Sequence, residues 1–178
     1  SLTKADDIRD FEIEGMSIGD SLLNYFSKKE IENLKIISDN KKLKIVRATF
    51  NHNFKTYDTI QFWWFNNDKN YKIVGIGGEL NFEKNIEKCK TKQDEISSEI
   101  TNTLNLSVRK SKNKNPWDKT TKSIIYHHAI TFSNDDLINV QCYQYSKSLK
   151  DKFPKTNDHL KVMLVTKKME DHFNNALD

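Results

Sequence analysis

The strongest periodic signal in the chain is a stripe of recurring side chains in its middle. The stripe advances by three or four residues and comprises Ile86, Cys89, Gln93, Ile96, Ile100 and Leu104. Because side chains at this spacing lie on one face of an α-helix, the pattern predicts a helix over 85–104. A shorter stripe of the same kind, which includes Met169 and Phe173, predicts a last helix over 168–177.

Two capping signals near the N-terminus predict two short helices. Residues 17–20 resemble a capping box, with aspartate in the place of glutamate, and precede an apolar set that begins at Leu22. Residues 27–30 form a complete capping box, with serine first and glutamate fourth. Before both of them, apolar and acidic residues alternate over 8–15, which predicts a short strand-like segment.

Alternating or β-prone runs predict six strands. They span residues 42–50, 59–65, 71–80, 122–132, 137–145 and 159–166. The run 59–65 has large apolar groups on both sides, with Trp64 on one side and Trp63 and Phe65 on the other. Such a strand is either covered on both faces or presents an exposed binding patch. Trp63 and Phe65 of this run are therefore candidate members of a binding surface. Trp117, an aromatic residue in the polar segment 107–122, is a third candidate member.

Runs of consecutive strands, rather than strict alternation with helices, favour an α+β fold. The predicted order is ααβββαβββα, with a mostly antiparallel sheet of about six strands and helices packed on one face. No low-complexity linker divides the chain, and its length suits a single domain over 1–178. The polar and basic segment 107–122 is predicted as an exposed loop.

Positive charge is unevenly distributed along the chain. The net charge is +4, but 13 basic and 5 acidic side chains lie between Arg109 and Lys168. Such asymmetry can mark a polyanion-binding face. The candidate basic patch comprises Arg109, Lys110, Lys112 and Lys114. The alternative is a compositional bias, because the chain has 26 Lys and 3 Arg, whereas nucleic-acid sites favour Arg, so nucleic acid is not the expected partner.

A four-residue motif near the N-terminus, Gly19-Asp20-Ser21-Leu22, resembles the opening of the GDSL esterase family, in which the serine is the nucleophile. The rest of the chain departs from that family. The family has an Asp-x-x-His pair near the C-terminus, whereas Asp171 and His172 are adjacent here. Ser21 also falls within a predicted helical turn. We therefore predict no catalytic residues and no enzymatic activity.

Two further motifs fit structure better than chemistry. Gly75-Ile76-Gly77-Gly78 is too short for a dinucleotide fingerprint and is interpreted as a strand with a bulge or a close backbone approach. His127 and His128 are neighbours on a predicted strand, so they point to opposite faces and cannot hold one ion together. The sequence predicts no metal and no cofactor. No apolar run approaches the roughly 18 residues of a membrane span.

The two cysteines are each predicted to lie on a core-facing surface. Cys89 belongs to the stripe of the helix over 85–104, and Cys142 alternates with Ile138 and Val140 on a strand. If that helix packs on that face of the sheet, both sulfur atoms enter the same layer. Two separate buried thiols and one disulfide are both consistent with this placement.

The N-terminal segment also carries a resemblance. Residues 11–23 read Phe-Glu-Ile-Glu-Gly-Met-Ser-Ile-Gly-Asp-Ser-Leu-Leu, and Tyr25-Phe26-Ser27 follows. Together with Cys89, Cys142-Tyr143, Leu160 and Val162, this opening resembles a family of small uncharacterised proteins of marine alphaproteobacteria. Members of that family resemble exported proteins, which implies a periplasmic location and supports a Cys89–Cys142 disulfide. The family implies no activity and no site residues.

Two functions are consistent with these features. The leading hypothesis is a non-catalytic periplasmic module that binds a protein or an envelope component, based on the aromatic strand and the lack of catalytic motifs. The alternative is a module that binds a polyanion or nucleic acid through the basic segment 109–122. Retention on heparin that falls steeply with salt would favour the alternative, because counterion release sets that dependence.

Overall fold

The computed structural model describes residues 7–37, 45–51, 53–83, 85–116, 118–120, 122–154 and 156–177. Four α-helices form within these residues: α1 (Lys28–Leu34), α2 (Ile86–Leu104), α3 (Lys147–Lys152) and α4 (Lys167–Leu177). The same residues form eight strands: β1 (Lys35–Ile37), β2 (Ile45–Phe50), β3 (Thr59–Phe65), β4 (Gly75–Glu83), β5 (Val108–Lys114), β6 (Ile124–Thr131), β7 (Leu137–Gln144) and β8 (Asp158–Val165). The protein is therefore of the predicted α+β class.

The eight described strands form one antiparallel sheet in the order β1-β2-β3-β4-β8-β7-β6-β5. The antiparallel sheet is confirmed, but the predicted number of about six strands and the order ααβββαβββα are wrong. The apolar pattern missed β1, β5 and α3. β1 has three residues, β5 is almost entirely exposed and α3 buries no side chain, so none of them carries an apolar period.

The chain divides into two compact units. The first contains the described residues of 1–78, 132–137 and 163–178, and the second contains those of 79–131 and 138–162. In the first unit, a buried cluster comprises Ile45, Trp63, Leu137, Val165 and Met169. Half-buried Phe65 and Phe173 pack against this cluster. Residues of α4 therefore cover the Trp63 side of β3.

The opposite side of β3 is also covered. The ring centre of Phe62 lies 5.3 Å from that of Phe50 and 5.6 Å from that of Phe26. Ile60 and Trp64, which share this side, are buried as well. The sequence left open whether β3 is covered on both faces or presents an exposed binding patch. At the centre of the strand, both faces are covered.

The glycine run 75–78 lies within β4, as the strand interpretation requires. A Cβ atom added to Gly78 would lie 2.5 Å from ring carbons of Tyr57, and one added to Gly75 would clash with the side chain of Met169. Gly78 is therefore needed for close packing against the Tyr57 ring, whereas at position 75 a Cβ atom would require the flexible end of the Met169 side chain to move. The interpretation of this motif as a close backbone approach is confirmed.

Residues 8–15 do not form the predicted strand. Ile8–Asp10 is a turn of 3₁₀ helix, and Glu14 and Gly15 have φ angles of 54° and 77°. Backbone in the left-handed region cannot continue an extended strand. The Glu14 carboxylate instead accepts hydrogen bonds from the main-chain N–H groups of residues 55–57. The alternation of acidic and apolar residues here belongs to a hydrogen-bonded turn.

The two predicted N-terminal helices have different outcomes. After residues 17–20 there is only a 3₁₀ turn, Leu22–Asn24, whose N-cap is Ser21. Gly19 has a φ angle of 95°, so the chain bends before a longer helix can begin. The capping box of residues 27–30 is confirmed, because both of its hydrogen bonds are present at the start of α1.

The long elements agree with the prediction. α2 and α4 occupy the two predicted helical stripes, and Asn85 is the N-cap of α2. The strands predicted over 42–50, 59–65, 122–132, 137–145 and 159–166 correspond to β2, β3, β6, β7 and β8, with 42–44 outside the described residues. The strand predicted over 71–80 begins only at Gly75, because Tyr71 has a positive φ angle.

The segment 107–122 is not a simple loop. Its first half forms β5, which pairs with β6 from Val108 opposite Ile130 to Lys114 opposite Ile124. The predicted exposure is confirmed for residues 109–114, all of which are exposed, but it is wrong for Asn115 and Asp118, which are buried. A strand exposed on both faces shows no apolar alternation, and its pairing is a tertiary contact that the local sequence does not encode.

Candidate functional site

The candidate basic patch lies on β5, the terminal strand of the described sheet. Side chains alternate along a strand, so Lys110, Lys112 and Lys114 share one side and Arg109 lies on the other. In the register with β6, Lys112 stands directly opposite Tyr126. The structure therefore separates the patch into a row of three lysines and a single arginine on the other side.

A fourth lysine, from α2, joins this row at the ring of Tyr126. The ammonium nitrogen of Lys112 lies 5.5 Å from the ring centre and that of Lys90 lies 5.1 Å from it, within the range of cation–π attraction. Lys90 also pairs with Glu87 at 3.1 Å. An open depression of about 450 Å³ is lined by Lys90, Gln93, Asp94, Lys110, Ser111, Lys112, Tyr126 and His128. We name as the cationic surface the set Lys90, Lys110, Lys112, Lys114 and Tyr126.

The cationic surface retains positive charge after its ion pairs are considered. Lys110 Nζ lies 2.6 Å from Asp94 Oδ1. This contact holds the pKa of the Asp94 carboxyl below its usual value, so that carboxylate is charged at neutral pH. Lys112 and Lys114 have no ion-pair partner within the part of the chain that the structure describes. Their two charges are therefore available to a ligand.

His128 lies in the wall of the depression and is engaged by its neighbours. Its Nδ1 is 2.9 Å from Ser97 Oγ on α2, and its Nε2 is 3.9 Å from Asp94 Oδ1. Burial lowers the pKa of His128, and the positive charge of Lys110 lowers it further. The ring is therefore neutral at pH 7, and it links α2 to β6 without adding charge.

Gln93 holds α2 against two strands beneath the cationic surface. The residue is 2% exposed, and its Nε2 donates to the carbonyl oxygens of Tyr126 at 2.8 Å and Val140 at 2.7 Å. These oxygens belong to β6 and β7, so one side chain links the helix to both strands. Because buried hydrogen bonds are strong in a low-dielectric interior, Lys90 is held on a rigid support close to Tyr126.

The predicted Cys89–Cys142 disulfide is present. The two Cα atoms lie 6.0 Å apart, and the bond joins α2 to β7 across 53 residues of sequence. Both cysteines are fully buried. The placement of both sulfur atoms in one layer, which the helical stripe and the strand alternation predicted, is therefore confirmed. The structure contains the disulfide rather than two separate buried thiols.

The three aromatic residues of the other candidate surface are placed differently from one another. Trp63 is 6% exposed and packs in the buried cluster beside β3. Phe65 is half-buried, and the ammonium nitrogen of Lys168 lies 4.7 Å from its ring centre. Trp117 lies outside the described residues. Of the two described members, Phe65 is the one with an accessible ring, and Lys168 already covers part of it.

The esterase-like motif has a structural role in the first unit. Ser21 Oγ donates to the carbonyl oxygen of Asn70 at 2.5 Å and accepts the N–H of Leu23 at 3.2 Å. Asp20 accepts the hydroxyl hydrogen of Tyr25 at 2.6 Å, and this bond raises the pKa of Tyr25 to about 12. Both side chains of the motif are therefore occupied by hydrogen bonds that fix the local turn.

His127 and His128 lie on opposite sides of β6, as predicted. His127 Nε2 is 2.8 Å from Asn139 Oδ1, whereas His128 faces α2. Among the described residues, no group of three or more His, Cys, Asp or Glu side chains is arranged to hold a metal ion. No described helix has both the length and the apolar character that crossing a bilayer requires.

A buried carboxylate that the sequence analysis did not identify orders the segment after β5. Asp118 is 3% exposed, and it accepts hydrogen bonds from the hydroxyls of Ser123 at 2.5 Å, Thr120 at 2.7 Å and Ser146 at 2.9 Å. These bonds, the one from Ser123 above all, hold the pKa of Asp118 well below its ordinary value. The one feature of the sequence that could have drawn attention to Asp118 is that it is an acidic residue within the basic segment 107–122.

A group of three aromatic rings, at the end of β7, directly after it and on β8, was also missed. Tyr143 stacks on His159 with 4.6 Å between ring centres, and Tyr145 lies 5.7 Å from His159. Burial and the negative charge of Glu79 raise the pKa of Tyr145 to about 12, and burial lowers the pKa of His159. Glu79 pairs with Lys161 at 3.2 Å. The signal that could have revealed this group is the alternation of the two tyrosines, Tyr143 in β7 and Tyr145 directly after it.

The cationic surface combines exposure, a concave shape and unpaired positive charge, and it includes three of the four residues predicted as a basic patch. Sequence reasoning missed Lys90 and Tyr126 because they reach the surface from α2 and β6. Comparison with known proteins identifies no relative: no family model, no curated protein and no solved structure matches this chain.

Proposed function

We propose that this protein is a non-catalytic binding module that recognises a ligand with an array of negative charges through the cationic surface. The observation that carries the proposal is the convergence of Lys90 and Lys112 on the Tyr126 ring, beside Lys110 and Lys114. Ammonium groups gathered on one surface create a positive potential that attracts anions. The ring between them adds apolar contact area.

The groups beside the lysines support binding rather than catalysis. His128 shares its Nδ1 with the Ser97 hydroxyl and is neutral at pH 7, because burial lowers its pKa. Asp94, the nearest carboxylate, is paired with Lys110. The depression is open to solvent, whereas catalytic groups gain strength in a closed, water-excluded site. An arrangement of this kind favours attraction of an anion over proton transfer.

An oxidising compartment is part of the proposal. The Cys89–Cys142 disulfide supports it, because such bonds persist in oxidising compartments and are rare in the cytosol. The resemblance of residues 11–23 to exported proteins of marine alphaproteobacteria favours the periplasm among those compartments. In the periplasm the expected ligand is an acidic protein or an anionic envelope component.

Binding of a heparin dodecasaccharide, used as a model polyanion, tests the proposal. Affinity is measured by calorimetry on the oxidised protein over a series of NaCl concentrations. If three or four lysines contact the ligand, the slope of log K against log salt is about −2 to −3, because each contact releases about 0.7 counterion. In the variant Lys110→Gln/Lys112→Gln/Lys114→Gln, we expect binding to weaken by about tenfold or more and the slope to lie between about −0.7 and zero, because Lys90 is the one lysine of the cationic surface that remains.

A matched variant separates the cationic surface from the net charge of the chain. Lys28, Lys29 and Lys69 are exposed lysines of the first unit, so replacing all three with glutamine removes the same charge elsewhere. We expect this control to bind heparin within about twofold of wild type, because these lysines are not part of the cationic surface and salt screens exposed charges that do not contact the ligand. Equal weakening in both triple variants contradicts the proposal.

A further inference from the structure

The register of β5 with β6 determines which of its main-chain groups are already bonded. Asn115, the residue after β5, donates its N–H to the carbonyl oxygen of Ser123 at 2.8 Å, and this pair continues the β5–β6 register. In an antiparallel pair, hydrogen-bonded and non-hydrogen-bonded positions alternate. The residues of β5 that exchange main-chain hydrogen bonds with β6 are therefore Arg109, Ser111 and Asn113.

The alternate positions present their main chain to the open edge. Because of this alternation, the N–H and C=O groups of Lys110, Lys112 and Lys114 point away from β6. β5 is the terminal strand of the described sheet, and all three residues are exposed. Each of them therefore offers one donor and one acceptor to a further strand, next to a lysine side chain.

The lysine side chains at these positions specify the charge of that strand. They lie on one side of β5 at intervals of about 6.6–6.8 Å. In an added antiparallel strand, the residue directly opposite each lysine has its Cβ about 4.5–5.5 Å from the lysine Cβ, where opposite charges attract. A second copy of β5 would place like charges together, so the same lysines oppose pairing of the edge with itself.

We propose that β5 binds an extended acidic peptide as an added antiparallel strand, with carboxylates at alternate positions opposite Lys110, Lys112 and Lys114. This inference rests on the proposed function, because it specifies the anionic ligand of the cationic surface. In strand addition the main-chain hydrogen bonds give affinity and the alternate side chains give specificity. A polysaccharide or a nucleic acid supplies negative charge but lacks the regular N–H and C=O groups of a peptide.

Peptides of equal charge distinguish strand addition from attraction of charge alone. The parent peptide is acetyl-Thr-Glu-Val-Glu-Val-Glu-Thr-amide. One derivative carries N-methyl groups on its three Glu residues, whose N–H groups face β5 in the proposed pairing. The matched control carries N-methyl groups on both Val residues and the last Thr, whose N–H groups face away. A thymidine tetranucleotide, which has three phosphates, provides the same charge without a peptide backbone.

Calorimetry at low salt with the oxidised full-length chain gives the affinities. We expect the parent and the control peptide to bind within about threefold of each other, and the Glu-methylated peptide to bind about tenfold more weakly or worse, because three main-chain hydrogen bonds are lost. We also expect the parent peptide to lose affinity for Lys110→Gln/Lys112→Gln/Lys114→Gln but not for Lys28→Gln/Lys29→Gln/Lys69→Gln.

The remaining outcomes separate this inference from the proposed function. Equal binding of the two methylated peptides, or binding of the tetranucleotide as tight as that of the parent, overturns strand addition. When strand addition is overturned in this way, the proposed function still stands if heparin binding depends on the three lysines of β5. If heparin and every other probe bind the wild type no better than the triple β5 variant, the proposed function fails together with the inference.

Discussion

The ammonium nitrogen of Lys112 on β5 lies 5.5 Å from the centre of the Tyr126 ring on β6, and the two residues are direct cross-strand neighbours. They occupy a non-hydrogen-bonded pair, in which side chains lie closer together than at the adjacent positions. Lys90 approaches the same ring from α2. An edge strand, an inner strand and a helix therefore meet at one aromatic ring, and this ring is the centre of the cationic surface.

Replacing the Tyr126 ring should weaken polyanion binding more than removing its hydroxyl. The hydroxyl donates only a long hydrogen bond to Gln144 Oε1, at 3.2 Å. We expect Tyr126→Phe to keep heparin affinity within about twofold and Tyr126→Leu to lower it by about three- to tenfold, because the ring that holds the two ammonium groups is lost. Calorimetry at one fixed salt concentration checks this. A Phe variant as weak as the Leu variant would assign the effect to the hydroxyl.

Breaking the disulfide should destabilise the protein. Cys89 and Cys142 link α2 to β7 across 53 residues, and such links are worth about 2–4 kcal/mol. For a chain of this size, the loss corresponds to a decrease of about 5–15 °C in Tm. Thermal unfolding of Cys89→Ser/Cys142→Ser against the oxidised wild type gives the value. Reducing agent should lower the Tm of the wild type and leave that of the variant unchanged. An equal change in Tm for both proteins would argue against the bond.

Removing the amide of Gln93 should loosen α2. Gln93→Met keeps the length of the side chain but removes both hydrogen bonds to the carbonyl oxygens of Tyr126 and Val140. We expect the free energy of unfolding to fall by about 1–3 kcal/mol. Urea unfolding monitored by circular dichroism measures it. A change below about 0.5 kcal/mol, the level of an ordinary surface substitution, would contradict the anchoring role.

The Asp118 carboxylate should make stability depend on acid pH. Its pKa in the folded state lies well below the value of about 3.9 expected for an unfolded chain. Because the folded pKa is depressed, Asp118 stabilises the fold above the unfolded pKa, and this contribution is lost as the pH falls toward the folded pKa. Asp118→Asn should therefore be less stable than wild type at pH 7, and the difference should shrink below about pH 4. Urea unfolding at several pH values would contradict this if the difference stayed constant.

Most of the regular structure could be predicted because burial leaves a period in the sequence. α2 buries Cys89, Gln93 and Leu104, which belong to the predicted stripe. β3 is covered on both faces, and its residues are large and apolar throughout. Elements without buried residues left no such signal, and β5 is the most important of them, since its strand state depends on pairing with β6.

The candidate site could be predicted only in part for the same reason. Lys110, Lys112 and Lys114 are close in sequence, so their charge could be recognised without a structure. Tyr126 and Lys90 join them through the packing of α2 and β6, which no local pattern encodes. The buried position of Trp63 likewise follows from residues of α4, far away along the chain, that pack against it.

Amide chemical-shift mapping shows residue by residue whether an anionic ligand binds at the cationic surface. The oxidised, isotope-labelled protein is titrated with the heparin dodecasaccharide at low salt. We expect saturable shifts centred on Lys90, Lys110, Lys112, Lys114 and Tyr126, with small shifts at Lys28, Lys29 and Lys69. Shifts of equal size at the lysines of both units, or shifts centred away from β5, would show that the cationic surface is not the binding site.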